Sequence, residues 1–188
     1  MDANSAGAPL LKMTSRTLSP ILFLAFTISA AAGPVELPSR KPGYWEIVMT
    51  HQENAPAMTL HACIDAATDK AMMDAGTDAM QSMCSEREIK RDGDAYVWDT
   101  KCTMGSMKTT SHVVITGDFQ SAYQMIISGE VSGLDAPQKI VTTQKAKWLS
   151  DACPAGVTAG DMQMPGGITI NARDMIHSLG VAKTPWQP

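Results

Sequence analysis

The stretch Glu86-Arg87-Glu88-Ile89-Lys90-Arg91-Asp92-Gly93-Asp94-Ala95-Tyr96-Val97-Trp98-Asp99 decides the fold class. Asp92-Gly93 stands between two runs of alternating character, which marks a two-residue hairpin turn between antiparallel strands. The arm before it is highly charged, as suits an edge or solvent-facing strand. The arm after it places Tyr96, Trp98, Thr100 and Cys102 on one face, because successive strand side chains point to opposite sides.

The same period of two recurs outward from this hairpin. Upstream, Trp45, Ile47 and Met49 share one face, and Met58, Leu60, Ala62 and Ile64 another. Asp65 then suits an N-cap for a helix over Ala66 to Ala75, with Gly76 just past its end and Ala71, Met72 and Ala75 facing the core. Downstream, Thr109 to Gly117 is rich in β-branched residues. After a tight turn at Gly117-Asp118, one face carries Phe119, Ser121, Tyr123, Met125 and Ile127. Lys139 to Trp148 alternates Lys139, Lys145 and Lys147 with Ile140, Ala146 and Trp148.

A loop from Pro154 to Gly160 follows, then a segment turning at Pro165-Gly166-Gly167, where glycine permits positive φ. Asn171 caps a short helix over Ala172 to Leu179, stopped by Gly180, and residues 181–188 read as a frayed tail. The fold class is therefore mainly β. We expect an antiparallel meander forming a curved sheet or partly closed barrel, with two short helices. Residues 33–180 carry neither an internal repeat nor a linker and read as a single β-rich domain.

The first 32 residues have the three parts of a secretory signal peptide. Lys12 and Arg16 precede an apolar run from Ile21 to Ala32, which ends in an Ala-x-Ala site at Ala30 to Ala32. That run is too short for a bilayer core of about 30 Å, so no membrane span is expected after cleavage. Met13 offers the more ordinary start, and residues 1–12 then read as an upstream extension.

A net charge of −4 without a basic cluster argues against nucleic acid and against anionic membrane surfaces. Cys63, Cys84, Cys102 and Cys153 all follow the cleavage site, and an even number in an exported chain reads as two disulfides. Of three possible pairings, Cys63–Cys84 with Cys102–Cys153 is favoured, the first clamping the helical excursion. No two cysteines are close enough for a zinc or redox C-x-x-C.

Several segments in this order resemble one family. They are Pro42-Gly43-Tyr44-Trp45-Glu46, Cys63-Ile64, Thr116-Gly117-Asp118-Phe119-Gln120-Ser121-Ala122-Tyr123, Lys147-Trp148-Leu149 with Cys153, and Gly160-Asp161-Met162 before Pro165-Gly166-Gly167. Together, from about Arg40 to Asn171, they resemble domain of unknown function 3617, a family of exported bacterial proteins. The resemblance implies a periplasmic location and no particular activity. Gly43-x-Trp45 is also similar to the opening of lipocalin-like barrels, whose fold binds small apolar ligands.

The common motifs for nucleophilic hydrolysis, phosphate binding, dinucleotide binding and helical zinc sites are lacking, and no enzymatic activity or cofactor is expected. His51, His61, His112 and His177 are scattered without metal-ligand spacing. His112 with Asp118 or Asp99 and nearby Ser111 is the one acid–base trio to consider, and such trios are common among solvated residues.

What remains is binding, of a small apolar ligand or a protein partner. For a barrel, the candidate apolar pocket is Trp45, Tyr96, Trp98, Tyr123 and Trp148, bounding a cavity of a few hundred Å³. The alternative is Cu(I), for which thioethers are suitable soft ligands. Met72-Met73, Met80 with Met83, Met104 with Met107, and Met162 with Met164 form close pairs, with His61 near Met58 and His177 near Met175. The plainer role for methionine is to fill gaps in a core short of rings.

Overall fold

A computed structural model of the chain describes residues 35–178, except 53, 54 and 134. The signal-peptide segment, the Gly180 stop and the frayed tail lie outside the described residues. Among the described residues, ten strands form one sheet in which every pairing is antiparallel. In chain order these are β1 (Gly43–His51), β2 (Met58–Ile64), β3 (Cys84–Glu86), β4 (Ile89–Asp92), β5 (Ala95–Met104), β6 (Met107–Asp118), β7 (Ala122–Ser132), β8 (Gln138–Ser150), β9 (Asp161–Gln163) and β10 (Thr169–Asn171). Helix α1 (Ala66–Met83) joins β2 to β3, and α2 (Ala172–Ser178) follows β10.

The spatial order is β10-β9-β2-β1-β8-β7-β6-β5-β3, with β4 also on β5. From β5 to β8 this is a plain meander. The hairpin of β1 and β2 then lies against β8, so first and last long strands are neighbours. The sheet is open and does not close into a barrel, which settles the expected alternatives in favour of a curved sheet.

The charged hairpin forms as its alternation predicts, with a one-residue shift. Asp92 pairs with Ala95, so the turn is Gly93-Asp94, and Gly93 has φ +57°. Glycine at the first central position is the requirement of a type II′ turn, whose twist matches the flanking strands.

Trp45, Ile47, Leu60, Ala62, Ile64, Val113 and Ala146 are among the buried residues of one inner face. The lysines of β8 and the charges of β5 take the outer face, as period-two alternation requires.

Three expectations need correction. The turn expected at Gly117-Asp118 lies at residues 119–121 instead, because Gly117 and Asp118 still pair with Tyr123 and Ala122 at the end of β6. Helix α1 does not stop at Gly76 but continues to Met83. A glycine inside a helix costs only about 1 kcal/mol, and the seven residues after it are compatible with a helix. Its expected core face is only half-buried at Ala71, Met72 and Ala75; the fully buried residues of α1 are Thr68 and Asp69.

The disulfides are Cys63–Cys153 and Cys84–Cys102, not Cys63–Cys84 and Cys102–Cys153. An 18-residue helix separates Cys63 from Cys84, a rise of about 27 Å, far beyond disulfide reach. Strand register supplies the partners instead. Cys84 lies opposite Cys102. Tyr44 sits between Cys63 and Ser150, which brings Cys153 beside Cys63.

Candidate functional site

The inner face is best built from the five aromatic residues singled out in the sequence. Trp45 is fully buried, and its indole Nε1 donates to the Lys41 carbonyl at 2.9 Å. Its ring lies 5.8 Å from Tyr123, which stacks on Phe119 at 4.8 Å, and Phe119 meets Tyr96 edge-on at 6.0 Å. Trp98 is buried nearby on β5, between Ile89 and Val113. Trp148 is partly exposed at the rim, with Lys41 Nζ 3.5 Å over its ring and its Nε1 donating to the Pro42 carbonyl.

Three of these five residues, Trp45, Tyr96 and Tyr123, are therefore joined by ring contacts through Phe119. Offset and edge-on ring pairs stabilise a packed core, and Phe119 fills the space between Tyr96 and Tyr123. The sequence placed Phe119 on the strand face of β7, but it lies in the turn of residues 119–121 between β6 and β7 and reaches the rings from there.

Beyond the packed rings, the inner face becomes softer. Met49 and Met58 are direct cross-strand partners, and Met125 and Ile127 continue the surface on β7. All four are partly exposed although they lie on paired strands. Gln144, between Met49 and Met125, donates through its amide to the Tyr123 hydroxyl at 3.3 Å.

Surface clefts open at two places among the described residues. One, of about 590 Å³, has Arg91, Tyr96, Asp94 and Phe119 in its walls. Arg91 places its guanidinium 4.3 Å over the Tyr96 ring. The other, of about 560 Å³, lies between α2 and the 154–160 loop and includes Asn171, Arg173 and His177.

In the second cleft, charge serves structure. Arg173 donates to both Asp65 oxygens at 2.7 and 2.6 Å and to Thr68 Oγ1 at 2.8 Å, tying α2 to the start of α1. Burial pushes the Asp65 carboxyl up. The Arg173 guanidinium and the Thr68 hydrogen bonds outweigh it and hold the group down at about 2. Asp161 is held low first by the Thr158 backbone N–H and then by the Asn171 amide.

The acid–base trio is not assembled. His112 Nδ1 is 2.9 Å from Asp99 on the exposed outer face, but Ser111, one residue away on the same strand, projects to the inner side. Asp118 is engaged elsewhere, accepting from the Gln120 backbone N–H and the Ser121 hydroxyl. Among the described residues there is no group of three or more His, Cys, Asp or Glu side chains able to hold a metal ion.

The family model for proteins of unknown function DUF3617 matches residues 40–153, more than half of the chain. The chain belongs to the DUF3617 family. The matched segment of this DUF3617 chain runs from just before β1 to Cys153, so it contains both disulfides and the whole aromatic core. It ends before β9, short of the Asn171 that the motif resemblance reached. No curated protein and no solved structure matches the chain.

Two disulfides mark a DUF3617 domain that folds outside the reducing cytoplasm. Among the described residues, no helix is long and apolar enough to cross a membrane.

Proposed function

We propose that this DUF3617 protein is a non-enzymatic binding domain of the bacterial periplasm, exported by the signal peptide over residues 1–32, and that its inner sheet face takes a small apolar ligand. One observation carries the reading. Met49, Met58, Met125 and Ile127 lie on paired strands of the sheet yet keep part of their surface open to solvent. A sheet face that were only structural would bury such residues, at about 25 cal/mol per Å². Methionine suits a surface that must adapt to different apolar shapes.

Native mass spectrometry of the protein recovered from its own periplasm tests the proposal. An apolar molecule released on denaturation is the expected result. A folded protein that carries none, and that takes up none from a lipid extract, contradicts it.

Strand register favours a second reading, Cu(I) binding through thioethers. Met104 lies directly opposite Met107 across the Gly105-Ser106 turn, and paired soft ligands select Cu(I). On that reading the oxidised protein binds Cu(I) one-to-one against a competing chelator, and Met104→Leu with Met107→Leu weakens it. Lack of binding by the folded protein removes it. A protein partner is the remaining alternative, and Ile168 and Ile170 at the exposed β10 edge are the apolar residues it would meet.

A further inference from the structure

One row of inner-face residues runs across six strands in direct register: Arg91, Tyr96, Ile115, Met125, Gln144 and Met49. A cation stands at one end of the row, and the rest is apolar except for Gln144. Arg91 forms no ion pair among the described residues; its guanidinium rests on the Tyr96 ring. The cleft of about 590 Å³ opens at this end, with Tyr96 and Phe119 in contact edge-on in its wall.

We propose that this row binds a single-chain fatty carboxylate, its head group on Arg91 and its chain leading over Tyr96 towards Met125 and Met49. The proposal rests on the apolar-ligand reading above and adds the head group and the direction of the chain. A guanidinium matches a carboxylate with two parallel hydrogen bonds. Asp94 and Asp118 also line the cleft, and their charge disfavours a doubly charged phosphate while one carboxylate still meets its single cation. Five strand spacings separate Arg91 from Met49, about 24 Å, the scale of a long acyl chain. Ile115 is buried midway, so the chain passes under the cover that buries it. Met80 of α1 is partly buried against the same core, and a thioether side chain is flexible enough to yield to an acyl chain.

The test uses the mature protein with 11-(dansylamino)undecanoic acid and with its uncharged methyl ester. The acid should bind more tightly than the ester. Arg91→Gln should weaken the acid about fivefold, the scale of a partly exposed ion pair, and leave the ester unchanged. Asp94→Asn should strengthen the acid. Both positions are exposed on a hairpin, so the variants keep the fold, and circular dichroism verifies it. If acid and ester bind alike and Arg91→Gln changes neither, the head-group assignment is wrong while the apolar site stands. If neither compound binds, the apolar site fails with it.

Discussion

Arg40 and Asp69, 29 residues apart in the chain, meet in a pair that leaves Asp69 only 1% exposed. Arg40 Nε donates to Oδ1 at 2.6 Å, and the Arg40 backbone N–H donates to Oδ2 at 2.8 Å. The segment before β1 is thereby fastened to the first turn of α1. Removing one partner of a buried pair leaves an uncompensated charge, which costs far more than the pair itself contributes. Arg40→Met should therefore destabilise the domain by about 3 kcal/mol, and Arg40→Met with Asp69→Leu by clearly less. Urea unfolding of the two variants checks the difference; equal losses would mean that the pair is not buried as described.

The second clamp on α1 gives a pH dependence. Asp65 titrates at about 2 in the folded chain against an ordinary 3.8. The unfolded chain then binds the proton first, so the stabilisation is complete above about pH 4 and is lost as pH falls towards 2. The Asp65 side chain is 45% exposed, so solvent screening limits the effect to about 1 kcal/mol. Asp161, also held low, adds to the slope in the same direction. Asp65→Asn should flatten the fall in melting temperature between pH 4 and 2, and an unchanged slope would contradict the clamp.

Much of this architecture was legible as period-two alternation. β2 and the inner faces of β1, β5 and β8 follow it residue by residue, because a half-buried sheet leaves that pattern in the sequence. Helix α1 was legible at its start, where Asp65 accepts from the Thr68 N–H at 2.6 Å, and not at its end, where Gly76 is a weak stop signal. The disulfide pairing was not legible, because it depends on β1 lying between β2 and β8, a long-range choice. The candidate site was half legible. The aromatic residues were found on their faces, but whether they pack or line a cavity is decided by Phe119 and by neighbours distant in sequence. Arg91 read as one charge among several on an edge strand, and only register aligns it with the inner row.

Register also makes the bridges separable by experiment. Non-reducing peptide mapping should yield Cys63 joined to Cys153 and Cys84 joined to Cys102. In the chain-entropy model, loops of 90 and 18 residues contribute about 4.5 and about 3 kcal/mol. Paired serine replacement should therefore be costlier for Cys63 with Cys153 than for Cys84 with Cys102. The reverse order, or crossed peptides, would overturn the connectivity.

Gly129 on β7 pairs with Ser111 on β6. A Cβ there would run into the Thr110 carbonyl oxygen, a backbone atom that cannot move aside alone. Gly76, by contrast, faces open space, and alanine is the better helix former. Gly129→Ala should lower stability by at least about 2 kcal/mol, whereas Gly76→Ala should raise it by about 0.5–1 kcal/mol. Thermal melts of the two single variants give opposite signs if the sheet register and the length of α1 are right.

Whether the inner face binds an apolar ligand is best decided by titrating the mature protein with the uncharged fluorophore N-phenyl-1-naphthylamine. We expect saturable, one-to-one fluorescence enhancement that weakens on Met58→Ser with Met125→Ser while both disulfides and the circular dichroism spectrum are retained. Enhancement that fails to saturate, or that is unchanged in the double variant, would contradict it.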